Sequence, residues 1–136
     1  VIVVDTNLIA YLLRGGEHTD VARAVYFRDH EWSAPIHWRS EFANVLARAL
    51  RRKEISVEQA VEIHQLAAEL LEGRQFTVPT ERVFQLVATS PCSAYDCEFV
   101  ALAQYLRTSL VTSDRDVLRA FPQIALSPER FLEMAT

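Results

Sequence analysis

Apolar residues occur along the chain in two rhythms. Short runs rich in β-branched and aromatic residues alternate with longer stretches whose apolar positions recur every three or four residues. The runs at residues 1–4, 32–36, 75–78, 109–112 and 124–126 read as strands. The segments 8–14, 20–29, 40–52, 57–71, 81–89, 94–107 and 117–121 read as helices, with a last helix after Pro128. Local chemistry marks several borders. Ser56 and Gln59 fit a capping box, Gly73 suits a helix stop, and Ser127 followed by Pro128 is an N-cap with proline in the first turn. Strands alternating with helices predict an α/β fold: a short, mostly parallel sheet of four to five strands between helical layers, three layers in all. Ligands of such sheets bind outside the carboxyl ends of the strands.

Composition narrows the picture. With 136 residues, 50% of them hydrophobic and 24% charged, the chain is expected to form one globular domain over residues 1–136 with a substantial core. No apolar run reaches the ~18 residues that a membrane span needs, and no charged segment precedes an apolar stretch as in a secretory signal. Cys92 and Cys97 match neither a disulfide framework nor a zinc spacing, so reduced, half-buried thiols and a cytoplasmic setting are expected. The net charge of −4 argues on its face against a nucleic-acid partner. That argument weakens if four carboxylates serve a metal ion, because 14 acidic residues then face 14 basic ones.

The acids are therefore the candidates to weigh. Asp5 closes the opening run "VIVVDTN", whose continuous apolarity suits a strand buried on both faces. Asp5 or Asn7 can equally cap the helix beginning near Leu8. Asp114 repeats the arrangement in "LVTSD", so the carboxyl ends of two central parallel strands would bring Asp5 and Asp114 together. Asp116 belongs to that cluster or simply favours the start of the next helix. Asp96, in "SAYDCEFVALA", shares a helical stripe with Val100 and Ala103; as part of a capping box with Ser93 it has a plainer account. Glu41 borders the stripe of Phe42, Leu46, Ala49 and Leu50, in line with Val45, Arg48 and Arg52. Arg48 and Arg52 are accordingly candidates for guiding a polyanion backbone, their alternative being a solvated helix face. His18, His30, His37 and His64 are scattered, without a nucleophile partner. Four acids at one sheet edge repel one another unless a cation neutralises them. An oxygen-only donor set selects Mg²⁺ or Mn²⁺, which suits metal-assisted phosphodiester hydrolysis.

The stretches "VVDTN", "SEFANVL", "SAYDCEFVALA" and "LVTSDRDVL", in this order and spacing, resemble the PIN domain, specifically the VapC-type toxins of toxin–antitoxin pairs. The resemblance covers nearly the whole chain. It implies a PIN-like fold and a Mg²⁺- or Mn²⁺-dependent endoribonuclease with Asp5, Glu41, Asp96 and Asp114 as its acidic quartet. Asp5, Asp96 and Asp114 match the metal ligands, and Asn7 and Thr112 match supporting polar groups. Asp116 matches a less uniform fifth acid, and Cys97 stands where a small residue is more usual. Also implied are an RNA substrate, a small antitoxin covering the acidic pocket, and a homodimer to which the apolar positions of the helices at 8–14 and 40–52 could contribute. Three other readings compete. An aspartate-nucleophile phosphatase would want a second acid where Asn7 stands. A receiver domain would want a lysine at a late strand end, whereas the single lysine is Lys53. A non-catalytic RNA-binding module would not need the complete quartet.

Overall fold

The computed structural model describes residues 1–134. Its elements follow the chain as β1 (Ile2–Val4), α1 (Thr6–Arg14), α2 (Thr19–Arg28), β2 (Trp32–Pro35), α3 (Trp38–Arg51), α4 (Val57–Leu70) and β3 (Gln75–Phe76). There follow α5 (Thr80–Ala88), α6 (Ala94–Leu106), β4 (Leu110–Val111), α7 (Arg115–Ala120), β5 (Ala125–Leu126) and α8 (Pro128–Glu133). The strands pair in the order β3-β2-β1-β4-β5, and every pairing is parallel. The expected mostly parallel sheet of four to five strands is thus an all-parallel sheet of five.

The strand order positions the site. The chain steps outward from β1 to β2 and β3, then returns across the sheet to β4 and β5. Parallel crossovers are right-handed, so this reversal sends α1 to α4 to one face and α5 to α7 to the other. Between β1 and β4 the connections diverge, which opens a crevice at the carboxyl ends of those two strands. All of β1 is buried, as the unbroken apolar run requires. Helix α6 packs on β1, β2 and β4 and buries Cys97, Phe99, Val100 and Ala103. Its mean hydropathy is high because it covers the middle of the sheet. Helix α3 buries Phe42, Leu46 and Ala49, leaving Glu41 at the border of that stripe.

Most of the local signals hold. Ser56 and Gln59 form a reciprocal capping box, Ser127 accepts the Arg130 N–H at 3.0 Å, and Gly73 occupies a left-handed φ of 77°. Helix α3 starts at Trp38, two residues before the expected border, because His37 already has helical backbone angles. Helix α7 likewise starts at Arg115, directly after its cap Asp114, rather than at Val117. Strands β3 and β4 pair over only two residues each, fewer than their β-rich runs suggest. Cys92 and Cys97 are free and fully buried rather than half-buried. None of the large exposed apolar side chains lies on α1 or α3, which turn their apolar residues to the core. Among the described residues no helix is long and apolar enough to cross a membrane.

Candidate active site

At the β1–β4 crevice lies a cavity of about 270 Å³, lined by Asp5, Glu41, Asp96 and Asp114. Asn7, Thr112 and Arg48 line it as well, and Val45, Phe99, Leu110 and Val117 supply its apolar wall. The four acids come from four separate elements: the end of β1, α3, α6 and the loop after β4. Each is placed by ordinary local chemistry. Asp5 caps α1, its Oδ1 accepting the Leu8 N–H at 2.9 Å. Asp114 caps α7, with Oδ1 accepting from the Asp116 and Val117 N–H groups at 2.9 and 3.1 Å. Asp96 stands in the first turn of α6, where its N–H donates to the Ser93 hydroxyl at 3.1 Å. Capping and clustering, alternatives in the sequence, therefore occur together.

Two hydroxyls organise the acids. The Thr112 Oγ1 donates to Asp5 Oδ2 at 2.6 Å and accepts from the Asp114 N–H at 3.1 Å, so one buried side chain spans the two strand ends. Thr6, also buried, donates to Glu41 Oε1 at 2.8 Å. His37 Nε2 lies 3.3 Å from the same Oε1, while its Nδ1 lies 3.5 Å from Glu98 Oε2. These imidazole contacts are close but are not aligned as hydrogen bonds. Both Thr6 and His37 thus engage Oε1 of Glu41, leaving Oε2 without a hydrogen-bond partner among the described residues.

The electrostatics follow from burial and like charge. Burial raises the Asp5 pKa and nearby Asp114 adds to the rise, against hydrogen bonds from Thr112 and the Leu8 and Ser113 backbone. Asp96 is raised by burial first, then by Asp114 and more weakly by Glu41; its contacts with Ser93 pull the other way. Glu41 moves in the opposite direction. Burial pushes it up, but the contacts with His37 and Thr6 outweigh burial and leave it below the usual glutamate value.

A hard divalent cation fits this donor set. Every side-chain donor from the quartet is oxygen, and no Lys, Arg or His comes within ion-pair distance of Asp5, Asp96 or Asp114 among the described residues. Arg48 lines the cavity without closing a salt bridge there. Among the described residues no three His, Cys, Asp or Glu side chains stand together closely enough to hold a metal ion as a group. Mg²⁺ does not require such a group, since it retains waters and binds through one or two carboxylates.

Two expected members lie elsewhere. Asp116 is exposed and reaches toward Arg119 at 3.9 Å, and Arg52 is the C-cap of α3 and does not line the cavity. A first-turn acid and a last-turn cation share sequence spacing with the site but are aimed by their own helices. Thr6, His37, Asn44 and Glu98 were not singled out in the sequence. Asn44 is three residues beyond Glu41 and was legible from helical spacing; the other three acquire their roles through tertiary contacts.

Fold and cavity together define a parallel α/β domain that gathers four carboxyl groups at its topological switch point. The chain belongs to the PIN domain family, whose model matches residues 2–123. PIN domains are typically nucleases and commonly metal-dependent. No curated protein sequence matches the chain. Its fold is similar to that of PAE2754 from Pyrobaculum aerophilum, at 19% identity over 96% of this chain and 92% of that one, with a TM-score of 0.75. FitAcB from Neisseria gonorrhoeae is similar at 18% identity, 95% and 99% coverage and a TM-score of 0.72. Mycobacterium tuberculosis VapC20, described as a Sarcin-Ricin loop cleaving toxin, is similar at 20% identity, 88% and 95% coverage and a TM-score of 0.66.

Proposed function

We propose that the protein is a metal-dependent endoribonuclease, the toxin of a cytoplasmic toxin–antitoxin pair. The observation that carries this reading is the convergence of Asp5, Glu41, Asp96 and Asp114 on one cavity at the β1–β4 crevice. The fold likeness to a toxin described as cleaving the Sarcin-Ricin loop supports the substrate class. Asp5, Asp96 and Asp114 would hold Mg²⁺ or Mn²⁺, directly or through its retained waters. When bound, such an ion supplies Lewis-acid polarisation of the phosphodiester.

The chain's own groups do the rest. Glu41, held ionised by Thr6 and His37, offers Oε2 as a proton acceptor for the attacking water. Thr112 and the Leu8 N–H fix the Asp5 carboxylate, and Asn7 lines the opening beside it. Arg48, seven residues or about 10 Å along α3 from Glu41, attracts the RNA backbone. A small antitoxin that covers this acidic cavity would block substrate and metal alike. The reading includes a homodimer, for which half-buried Tyr11, Leu12 and Leu13 of α1 and Val45 and Leu50 of α3 are the available apolar surface.

A phosphatase reading finds no second acid at Asn7, and a receiver reading finds Lys53 in the turn after α3, away from the cavity. The deciding experiment is cleavage of single-stranded RNA by the purified protein. Activity is expected with Mg²⁺ or Mn²⁺ and none in EDTA; equal rates in EDTA would overturn the metal mechanism. For the arginines, Arg48→Ala is expected to weaken RNA binding and reduce the salt slope by roughly 0.7, the contribution of one single-strand phosphate contact. Arg52→Ala should change the slope less. Equal slopes for wild type and Arg48→Ala, from binding titrations at several salt concentrations, would remove Arg48 from the phosphate path.

A further inference from the structure

Outside the lining of the cavity, at the start of α6, stands an aromatic group that the acidic site does not use. Tyr95 immediately precedes Asp96 in the first turn of α6 and is 61% exposed. It is braced rather than loose. Its ring lies 5.5 Å from that of His37, tilted by 42°, and His37 packs edge-on against Phe99 at 5.1 Å. Phe99 lines the cavity, so a continuous aromatic path runs from the cavity wall out to Tyr95. Ile36, which precedes His37 just beyond the end of β2, is 52% exposed and adds apolar surface.

We propose that Tyr95, braced by His37, is a stacking platform for a nucleobase of a single-stranded RNA lying across the acidic cavity. This deepens the endoribonuclease reading and rests on it for the position of the strand. Charge selects the occupant. Glu41 and Glu98 flank His37, and Asp96 follows Tyr95 in the chain, so a phosphate placed there would be repelled, whereas an uncharged base presents a π-face to the ring. The cation that lines the cavity, Arg48, stands eleven residues from His37, about 16 Å along α3, while Arg39, nearer in sequence, is turned over the Trp38 ring at 5.7 Å and does not line the cavity. One end of α3 thus suits a base and the other a phosphate, with Glu41 between them. A base held flat on Tyr95 must be unpaired, which selects single-stranded or looped RNA over duplex.

The test is fluorescence-anisotropy titration of a fluorescein-labelled, mixed-sequence single-stranded RNA against wild type, Tyr95→Ala and Tyr95→Trp in EDTA, alongside cleavage kinetics in Mg²⁺. Loss of one stacked base is expected to weaken binding by about 5- to 150-fold in Tyr95→Ala, with Tyr95→Trp close to wild type. The KM in Mg²⁺ should rise correspondingly while kcat stays within about twofold. An abasic RNA series should contain one position at which wild type loses the same factor and Tyr95→Ala loses nothing more. Equal RNA affinity of wild type and Tyr95→Ala overturns the platform, as does wild type that binds no RNA. The same holds if the substitution impairs only the binding of a small protein partner. Tyr95-dependent RNA binding without cleavage in Mg²⁺ or Mn²⁺ supports the platform and overturns only the nuclease reading.

Discussion

Asp5→Asn is expected to lower RNA cleavage by at least about 100-fold while making the metal-free protein more stable. Asparagine is isosteric and caps helices as well as aspartate, so the Leu8 N–H keeps its partner. What disappears is the charge, and with it the acceptor of the Thr112 hydroxyl, since an amide nitrogen takes the place of Oδ2. Even removal of a group that only orients a metal ligand typically costs 10- to 100-fold, roughly, so loss of a direct ligand should cost more. The stability effect follows from linkage. The folded-state pKa of Asp5 is raised, so the native protein holds this proton more tightly than the unfolded chain does. Stability from this group is therefore complete below the ordinary aspartate value of about 4 and is lost as pH rises through the folded value. Above that ordinary value and without metal, keeping this carboxyl buried therefore opposes folding, and asparagine removes that opposition. Thermal melts in EDTA at pH 7.5 should place the variant above wild type. Added Mg²⁺ should raise the wild-type midpoint and leave the variant nearly unmoved. A variant that cleaves RNA at the wild-type rate would remove Asp5 from the site.

Thr112→Val should be the second most damaging change. The substitution keeps the side-chain shape but removes the donor to Asp5 and the acceptor for the Asp114 N–H, both 3.1 Å or shorter. Leaving a partly buried N–H unpaired typically costs about 1–3 kcal/mol. Cleavage should fall by about 10- to 100-fold, as for other groups that orient a ligand. The Asp5 pKa should rise further, since the Thr112 hydrogen bond opposes the effect of burial. Thr112→Ser retains the hydroxyl and should recover most of the activity. Denaturant midpoints and cleavage rates for the two variants, measured together, check the argument. Equal activity of the valine and serine variants would show that the hydroxyl does not position the acids.

Much of this site was legible because it uses strong local signals. An apolar run ending in an acid marks Asp5 and Asp114, and a carboxylate on an apolar helical stripe marks Asp96 among Val100 and Ala103. The alternating rhythm supplied the parallel sheet, while its strand order, and with it the location of the crevice, came only from the structure. What escaped detection depends on residues distant in sequence. Thr6 meets Glu41 across 35 residues, and His37 meets Glu98 from a different helix. Periodicity describes one helix at a time and contains no information about such meetings. It also overreached: Arg52 shares a helical line with Glu41, but as the C-cap of α3 it lies beyond the cavity's edge.

The Thr112 bridge has a consequence for biosynthesis. It joins residues 107 positions apart, and the Asp5 N–H itself donates to Val111 at 3.3 Å. Contacts of such long sequence separation carry a large loop-closure cost and form after local structure is in place. A nascent chain emerging from the ribosome therefore displays Asp5 long before its companion strand exists. Helices α1 to α4 can assemble early, but the acids have no common crevice until β4 emerges and inserts beside β1. In the proposed ribonuclease, cutting power would arise only after β4 has been made, when the elements from β1 to α6 are already available for capture by an inhibitor.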